Sequence, residues 1–77
     1  MKLEDMIRHL KSTRKDLLNG ILSSSNEHPI IYLGIYKNLG EYRILNSLAE
    51  KKYLKKEEWG SLVYFVLTNN GRDNLKK

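Results

Sequence analysis

The chain of 77 residues has no cysteine, one proline, one tryptophan and one phenylalanine. Without cysteine, no disulfide and no thiolate-held metal can staple a chain this short. The same absence fits an intracellular, cytoplasmic protein. No apolar run approaches the ~20 residues of a membrane span. Met1-Lys2 is followed at once by Glu4 and Asp5 rather than by an apolar stretch, so no signal peptide is expected. Internal repeats, low-complexity tracts, Gly-rich phosphate loops and nucleophile motifs are all missing. His9 and His28 are far apart in sequence, which leaves no metal-ligand spacing. Glu4-Asp5 and Glu57-Glu58 are adjacent pairs expected on the surface, the first of them suited to a helix start. These absences point to a protein that is not an enzyme and needs no cofactor or metal.

What the chain does have is basic charge. Fourteen Lys and Arg face nine Asp and Glu, for a net charge of +5. A sequence pI near 9.6 suits a polyanionic partner. Most of the excess sits in residues 37–56, where six Lys/Arg (37, 43, 51, 52, 55, 56) face Glu41 and Glu50, a net +4. A single domain spanning 1–77 is expected. At this length only about 60% of the unfolded surface is buried, so a dimer interface is one remaining source of stability.

Within the basic window an amphipathic helix is expected from Glu41 to about Lys51. Its 3.6-residue period puts Tyr42, Leu45, Leu48 and Ala49 on one face and Arg43, Asn46, Ser47 and Glu50 on the other. Upstream, Leu3, Ile7, Leu10, Leu17 and Ile21 keep one phase, which predicts one long helix over 2–23. Arg14 interrupts that stripe, and Thr13 with Asp16 could form a capping box, so a break near Ser12-Thr13 is the alternative. The stripe packs on the core, or its first part, Leu3, Met6, Ile7 and Leu10, forms a homodimer interface. Pro29 suits the first position of a short helix running to about Lys37. Ile30-Ile31-Tyr32-Leu33 is β-like by composition, but the turn expected at Asn38 and Gly40 favours helix, giving the order helix, turn, helix.

After Tyr53 the periodicity becomes alternating. Leu54-Lys55-Lys56 reads as a short strand, Glu57 to Ser61 as a polar loop around Trp59, and Leu62 to Leu67 as the strongest strand. Val63, Phe65 and Leu67 share one side of it, and Leu62, Tyr64 and Val66 the other. Because both sets are apolar, either both faces are covered or one meets a partner. Thr68 is a fair N-cap for a final helical turn through Leu75. Asn70-Gly71 could instead be a hairpin turn, but the residues after it make a poor strand. Leu45, Leu48, Phe65 and Leu67 are the expected core beneath the basic helix.

The order of elements, with Tyr64-Phe65-Val66-Leu67-Thr68-Asn69-Asn70-Gly71-Arg72 and the run from Ile31-Tyr32 to Tyr42-Arg43 and Leu48, resembles the small winged helix-turn-helix regulators of archaea and their viruses or plasmids. It is more distantly similar to the MarR and PadR groups. The nonapeptide looks like the aromatic-x-Leu-Thr-x-x-Gly-Arg ending of those wings. The chain departs from the pattern at Lys51-Lys52-Tyr53, where such proteins often have glycine; a non-Gly residue in left-handed backbone costs about 1–2 kcal/mol.

The resemblance implies an α+β, mostly α fold: three helices, a two-stranded antiparallel wing and a short C-terminal helical turn. It implies sequence-specific binding of double-stranded DNA, transcriptional regulation, and a homodimer, here expected through the N-terminal helix. The recognition helix (about 41–51) would enter the major groove, and the wing (about 54–67) would lie on the backbone. Tyr42, Arg43, Asn46 and Ser47 match positions that face DNA, Lys37 and Asn38 match the phosphate-contacting turn, and Lys55, Lys56 and Trp59 fall in the wing. Arg43 suits a guanine edge and Asn46 an adenine, although both would also simply solvate an exposed face. Lys51, Lys52, Lys55 and Lys56 suit phosphates or, equally, solubility. Trp59 either packs back on its sheet or touches the DNA backbone. The rival reading is a winged-helix module that binds a protein partner and no DNA, motivated by the apolar strand face and the stripe of the first helix.

Overall fold

The computed structural model describes residues 2–37 and 39–76. Among the described residues it is an α+β domain with four α-helices and one three-stranded antiparallel sheet. In chain order these are α1 (Leu3–Thr13), α2 (Lys15–Ser23), β1 (Ile30–Leu33), a 3-10 turn (Gly34–Tyr36), α3 (Gly40–Glu50), β2 (Leu54–Trp59), β3 (Leu62–Leu67) and α4 (Asn69–Leu75). The strand order is β1-β3-β2, so β3 is central.

The expected long first helix is broken at Arg14, whose φ of −125° and ψ of 49° are not helical. Thr13 does not form a capping box. Its hydroxyl bonds back to the His9 carbonyl at 2.9 Å, and Ser12 bonds to the same carbonyl at 3.3 Å. Back-bonding of this kind bends helices. The Arg14 guanidinium leaves the helix line to meet the Glu41 carboxylate at 2.7 Å, which also accepts a 2.8 Å hydrogen bond from the Tyr32 hydroxyl. One carboxylate thus joins the α1–α2 corner, the first turn of α3 and β1.

Met6 and Leu10 of α1 are buried in the chain's own core, and Leu3 and Ile7 pack against it. The stripe assigned to a dimer is therefore largely consumed by folding, with only Leu3 and Ile7 left partly open. Past α2, the buried Ser24 hydroxyl donates to the Ile21 carbonyl at 2.7 Å and accepts the Leu67 amide at 3.0 Å, tying the helix end to β3.

Residues 30–37 differ most from expectation. The expected short helix is strand β1 followed by a single 3-10 turn. Ile30 and Tyr32 face the core and pair with Phe65 and Val63, so long-range pairing selects the β-like composition of this segment. Asn38 of the expected turn lies outside the described residues.

β2 is longer than expected, taking in Glu57, Glu58 and Trp59. The expected polar loop shrinks to Gly60-Ser61. Gly60 has a φ of 59°, as a two-residue hairpin turn with glycine first requires. Val63, Phe65 and Leu67 are buried as expected, together with Leu45 and Leu48 of α3. They join Leu18, Ile21, Leu54 and Leu75 in one core.

Lys52, where glycine was missed, adopts φ 68° and is the αL residue of a complete Schellman ending. Its amide bonds to the Ala49 carbonyl at 3.0 Å, and the Tyr53 amide bonds to Leu48 at 2.9 Å. The motif Thr68-Asn69-Asn70-Gly71 then closes on this bend. Thr68 caps α4 by accepting the Gly71 amide at 3.0 Å, and its hydroxyl sits 2.7 Å from the Lys52 carbonyl and 3.0 Å from that of Tyr53. Gly71 packs so closely that a Cβ there would lie 2.0 Å from the Tyr53 carbonyl oxygen.

Gly71→Ala should accordingly destabilise the domain by at least the ~1–3 kcal/mol of overpacking, since backbone rather than a side chain must move. Thermal melting checks this; a melting point within a degree of the parent would remove Gly71 from the latch.

The Tyr32 phenol is pushed up from 10.0 to about 12, first by burial, then by its hydrogen bond to Glu41 and that carboxylate's charge, with Arg14 acting in the opposite direction. A raised folded pKa means the unfolded chain ionises first, so stability held below pH 10 should fall as pH rises toward 12. Tyrosinate absorbance should show one phenol titrating late, and Tyr32→Phe should remove that late step.

Candidate nucleic-acid interface

The basic window folds into a groove between α3 and β2. Asn46, Ala49 and Glu50 form one wall, Leu54, Lys55 and Lys56 the other, and Lys52 and Thr68 close one end around about 660 Å³. The Schellman bend and the Thr68–Gly71 latch fix the angle between these walls.

Lys56 lies at the centre. Its ammonium donates to Asn46 Oδ1 at 2.9 Å, stands 3.7 Å from the Glu58 carboxylate, and lies 5.6 Å from the centre of the Tyr42 ring. Lys37 reaches the same Glu58 at 3.9 Å. Arg43 is exposed on α3 one turn before Asn46, and its side chain makes no hydrogen bond or ion pair among the described residues. The half-buried Ser47 follows Asn46. Arg43, Asn46, Lys52 and Lys56 are therefore the expected residues that the fold gathers around α3 and its groove.

Other expected residues fall elsewhere. Tyr42 is 4% exposed and is a core residue. Its ring meets Phe65 and Tyr32 edge-on, at 5.5 and 6.0 Å between centroids. The helix phase that places Leu45 and Leu48 inside takes Tyr42 with them, so it cannot touch a base edge directly.

Lys55 and Lys56, both expected in the wing beside DNA, are not equivalent, because adjacent strand residues point to opposite faces. Lys55 only borders the groove. Its ammonium turns to Glu57 at 2.7 Å, on the sheet face away from α3. Trp59 lies on that outer face too, 68% exposed, with its indole N–H 3.4 Å from Glu57. With Asn26, Pro29, Tyr64 and Val66 these residues line a second hollow of about 230 Å³. Trp59 is thus neither packed down on the sheet nor set beside α3. The Lys55 partnership holds the Glu57 carboxyl below its usual range, with the indole hydrogen bond adding to it.

Charge in the hairpin is nearly balanced. Extending the window to 37–59 adds Glu57 and Glu58, so six Lys/Arg face four Glu and the net falls from +4 to +2. Glu41 is held by Arg14, away from the groove. The sequence reading missed Glu58, whose carboxylate restrains both Lys37 and Lys56. Lysine-lysine-glutamate-glutamate on one strand was the available signal. Missed too was Tyr32, which braces α3 from beneath through Glu41.

Comparison with family models, with characterised proteins and with solved structures gives no match. The reading of this groove therefore rests on its own geometry. Among the described residues no helix is long and apolar enough to cross a membrane.

The Tyr42 hydroxyl is buried and finds no hydrogen-bond partner among the described residues. Replacing an unsatisfied buried polar group by an apolar one of the same shape is neutral or stabilising. Tyr42→Phe should raise stability by up to about 1 kcal/mol and leave any nucleic-acid affinity unchanged. Loss of affinity in a normally folded Tyr42→Phe protein would return this hydroxyl to the interface.

Proposed function

We propose that the chain is a winged helix-turn-helix module that binds double-stranded DNA sequence-specifically and acts as a transcriptional regulator, with α3 in the major groove and the β2–β3 hairpin along the backbone. The observation that carries this reading is the convergence of Asn46, Lys52 and Lys56 on the groove beside α3, the helix that also carries Arg43, whose guanidinium has no partner among the described residues. The helices, the β1-β3-β2 sheet and a hairpin directly after α3 are compatible with a winged helix. The first helix of the helix-turn-helix pair is reduced to the turn Gly34–Tyr36, so α3 is braced by β2 and α1 instead.

In this reading Arg43, one turn into α3, offers two parallel donors to a guanine edge. Lys52 and Lys56 supply phosphate contacts that carry affinity without sequence information. Lys56 must exchange its bonds to Asn46 and Glu58 for a phosphate, which frees the Asn46 amide for a base. Lys37 makes the same exchange from Glu58. These local carboxylates compete with DNA for the lysines, while the salt dependence of binding comes from the counterions that the phosphates release.

A second reading, a protein-interaction winged helix without DNA binding, is favoured by the exposed apolar side chains of Ile31, Leu33, Ile35 and Tyr36. Affinity for duplex DNA across a salt series separates the two. Binding that weakens steeply with salt supports the DNA reading. Arg43→Ala should cost about 1–3 kcal/mol on a selected site and little on scrambled DNA, whereas Lys56→Ala should weaken both and reduce the salt slope by about one. No duplex binding at about 50 mM salt would favour the protein-partner reading.

A further inference from the structure

The two edges of the sheet are built differently. β2 carries Lys55, Lys56, Glu57 and Glu58, the charged guard that keeps an edge from pairing with other strands. β1 has no charged guard, only Pro29 just before it. From Pro29 to Tyr36 there is no charged residue, the pairing of β1 with β3 has no bulge, and among the described residues no strand lies on its other side.

The backbone shows which groups that edge presents. The Gly34 amide bonds to the Ser61 carbonyl of the hairpin turn at 2.7 Å. Backbone groups alternate along an antiparallel strand. Tyr32 and Ile30 therefore turn their amides and carbonyls to β3, and Ile31 and Leu33 turn theirs outward. Leu33 is also the N-cap of the 3-10 turn, so its carbonyl heads into that turn. This leaves the Ile31 amide, the Ile31 carbonyl and the Leu33 amide, with the Pro29 carbonyl on the same parity just before the strand.

We propose that the chain forms a two-fold homodimer by antiparallel pairing of β1 with the β1 of a second copy, centred on Ile31. With the axis at Ile31, its amide and carbonyl exchange bonds with those of the other Ile31, and each Leu33 amide meets the opposite Pro29 carbonyl. The one bond that an ordinary ladder would add there runs from residue 29 to the Leu33 carbonyl. Proline has no N–H to make it, and its ring fills that place, so the ladder ends at the Leu33 amide on each side. The edge is complementary to itself, as a two-fold interface requires. Ile31 then stacks on Ile31 and Leu33 on Pro29 across the outer face, without juxtaposing charges of two chains that each carry +5.

Apolar area supports a second copy as the occupant. Ile31, Leu33, Ile35, Tyr36 and Leu39 are 43–78% exposed. Together they offer about 500 Å², in the upper part of the range for the largest patch of a monomer and more than half of the ~800 Å² that each partner gives to a standard interface. The pairing does not require the proposed DNA binding, and it lies elsewhere than the α1 stripe.

Sedimentation of the intact chain over a dilution series, with amide exchange followed by NMR, tests the proposal. A dimer that dissociates on dilution is expected. The Ile31 and Leu33 amides should exchange more slowly as concentration rises, whereas those of Ile30 and Tyr32, bound to β3, should be protected throughout. Leu33→Lys should weaken the dimer at least tenfold while circular dichroism stays native, and Ile7→Lys on α1 should leave it unchanged. A chain that stays monomeric at NMR concentrations overturns the proposal. So does a dimer lost with Ile7→Lys but kept with Leu33→Lys. If Leu33→Lys does not fold, exchange in the unmodified protein decides: Ile31 and Leu33 amides that are equally fast at all concentrations overturn the pairing.

Discussion

The peptide carbonyl of Tyr53 is the point on which the arrangement of α3, the hairpin and α4 depends. The chain leaves α3 through Lys52 in left-handed backbone, and the Tyr53 amide closes the helix on Leu48. The Tyr53 carbonyl then accepts the Thr68 amide at 3.2 Å and lies within reach of the Thr68 hydroxyl. Only a glycine at position 71 lets the first turn of α4 come this close. The end of α3, the start of β2, the end of β3 and the cap of α4 thus meet over one peptide unit. The angle of the groove between α3 and β2 follows from that bend. The strain of a lysine in αL conformation, about 1–2 kcal/mol, is offset here by the two Schellman bonds and the latch above it, and it sets the Lys52 side chain at the end of the groove.

The other end of α3 is held by chemistry of a different kind. Leu39 gives no side-chain cap, and Glu41 of the first turn faces Arg14 and Tyr32 instead. Both partners of the Arg14–Glu41 pair are more than a third exposed. Such a pair contributes little net stability. Its effect is geometric. Arg14 can reach Glu41 only because the first helical stretch breaks there, and Tyr32 can reach it only because residues 30–33 are a strand. A single carboxylate fixes the heading of α3 relative to both the helical corner and the sheet, and it keeps one of the two negative charges of the basic window away from the groove.

Local signals made most of the second half of the chain legible in the sequence. The period of Leu45 and Leu48, the alternation from Leu62 to Leu67 and the capping residue Thr68 each placed an element within a residue or so. Three failures have distinct physical causes. A break of one residue at Arg14 leaves the phase of the apolar stripe steady when both halves pack on the same core, so the period outweighs the interruption that Arg14 makes in it. β1 takes its conformation from pairing with β3, which is distant in sequence and invisible to a local pattern. Tyr42 was read twice, as buried by helix phase and as DNA-facing by resemblance; the phase was the physical constraint and it prevailed. The groove itself was legible only in part. Sequence identified its lysines, but the alternation of a strand decides that Lys56 enters it while Lys55 turns away to Glu57.

Charge and apolarity end up on opposite margins of one sheet, and β3 accounts for this. Its buried residues anchor α3 from below. Its two neighbours are then free to differ, because neither contributes more than a few side chains to the core. On one side, the lysines and glutamates of β2 border the groove and exclude another strand. On the other, β1 meets water with isoleucine and leucine and leaves backbone groups without strand partners. A second chain at β1 would lie across β3 from the groove and would not cover it. Whatever binds the basic groove must displace lysine–glutamate contacts, a cost that salt and charge control. Whatever pairs at β1 displaces only water from apolar side chains and amides. The two surfaces differ in driving force, so ionic strength should modulate the first and scarcely touch the second.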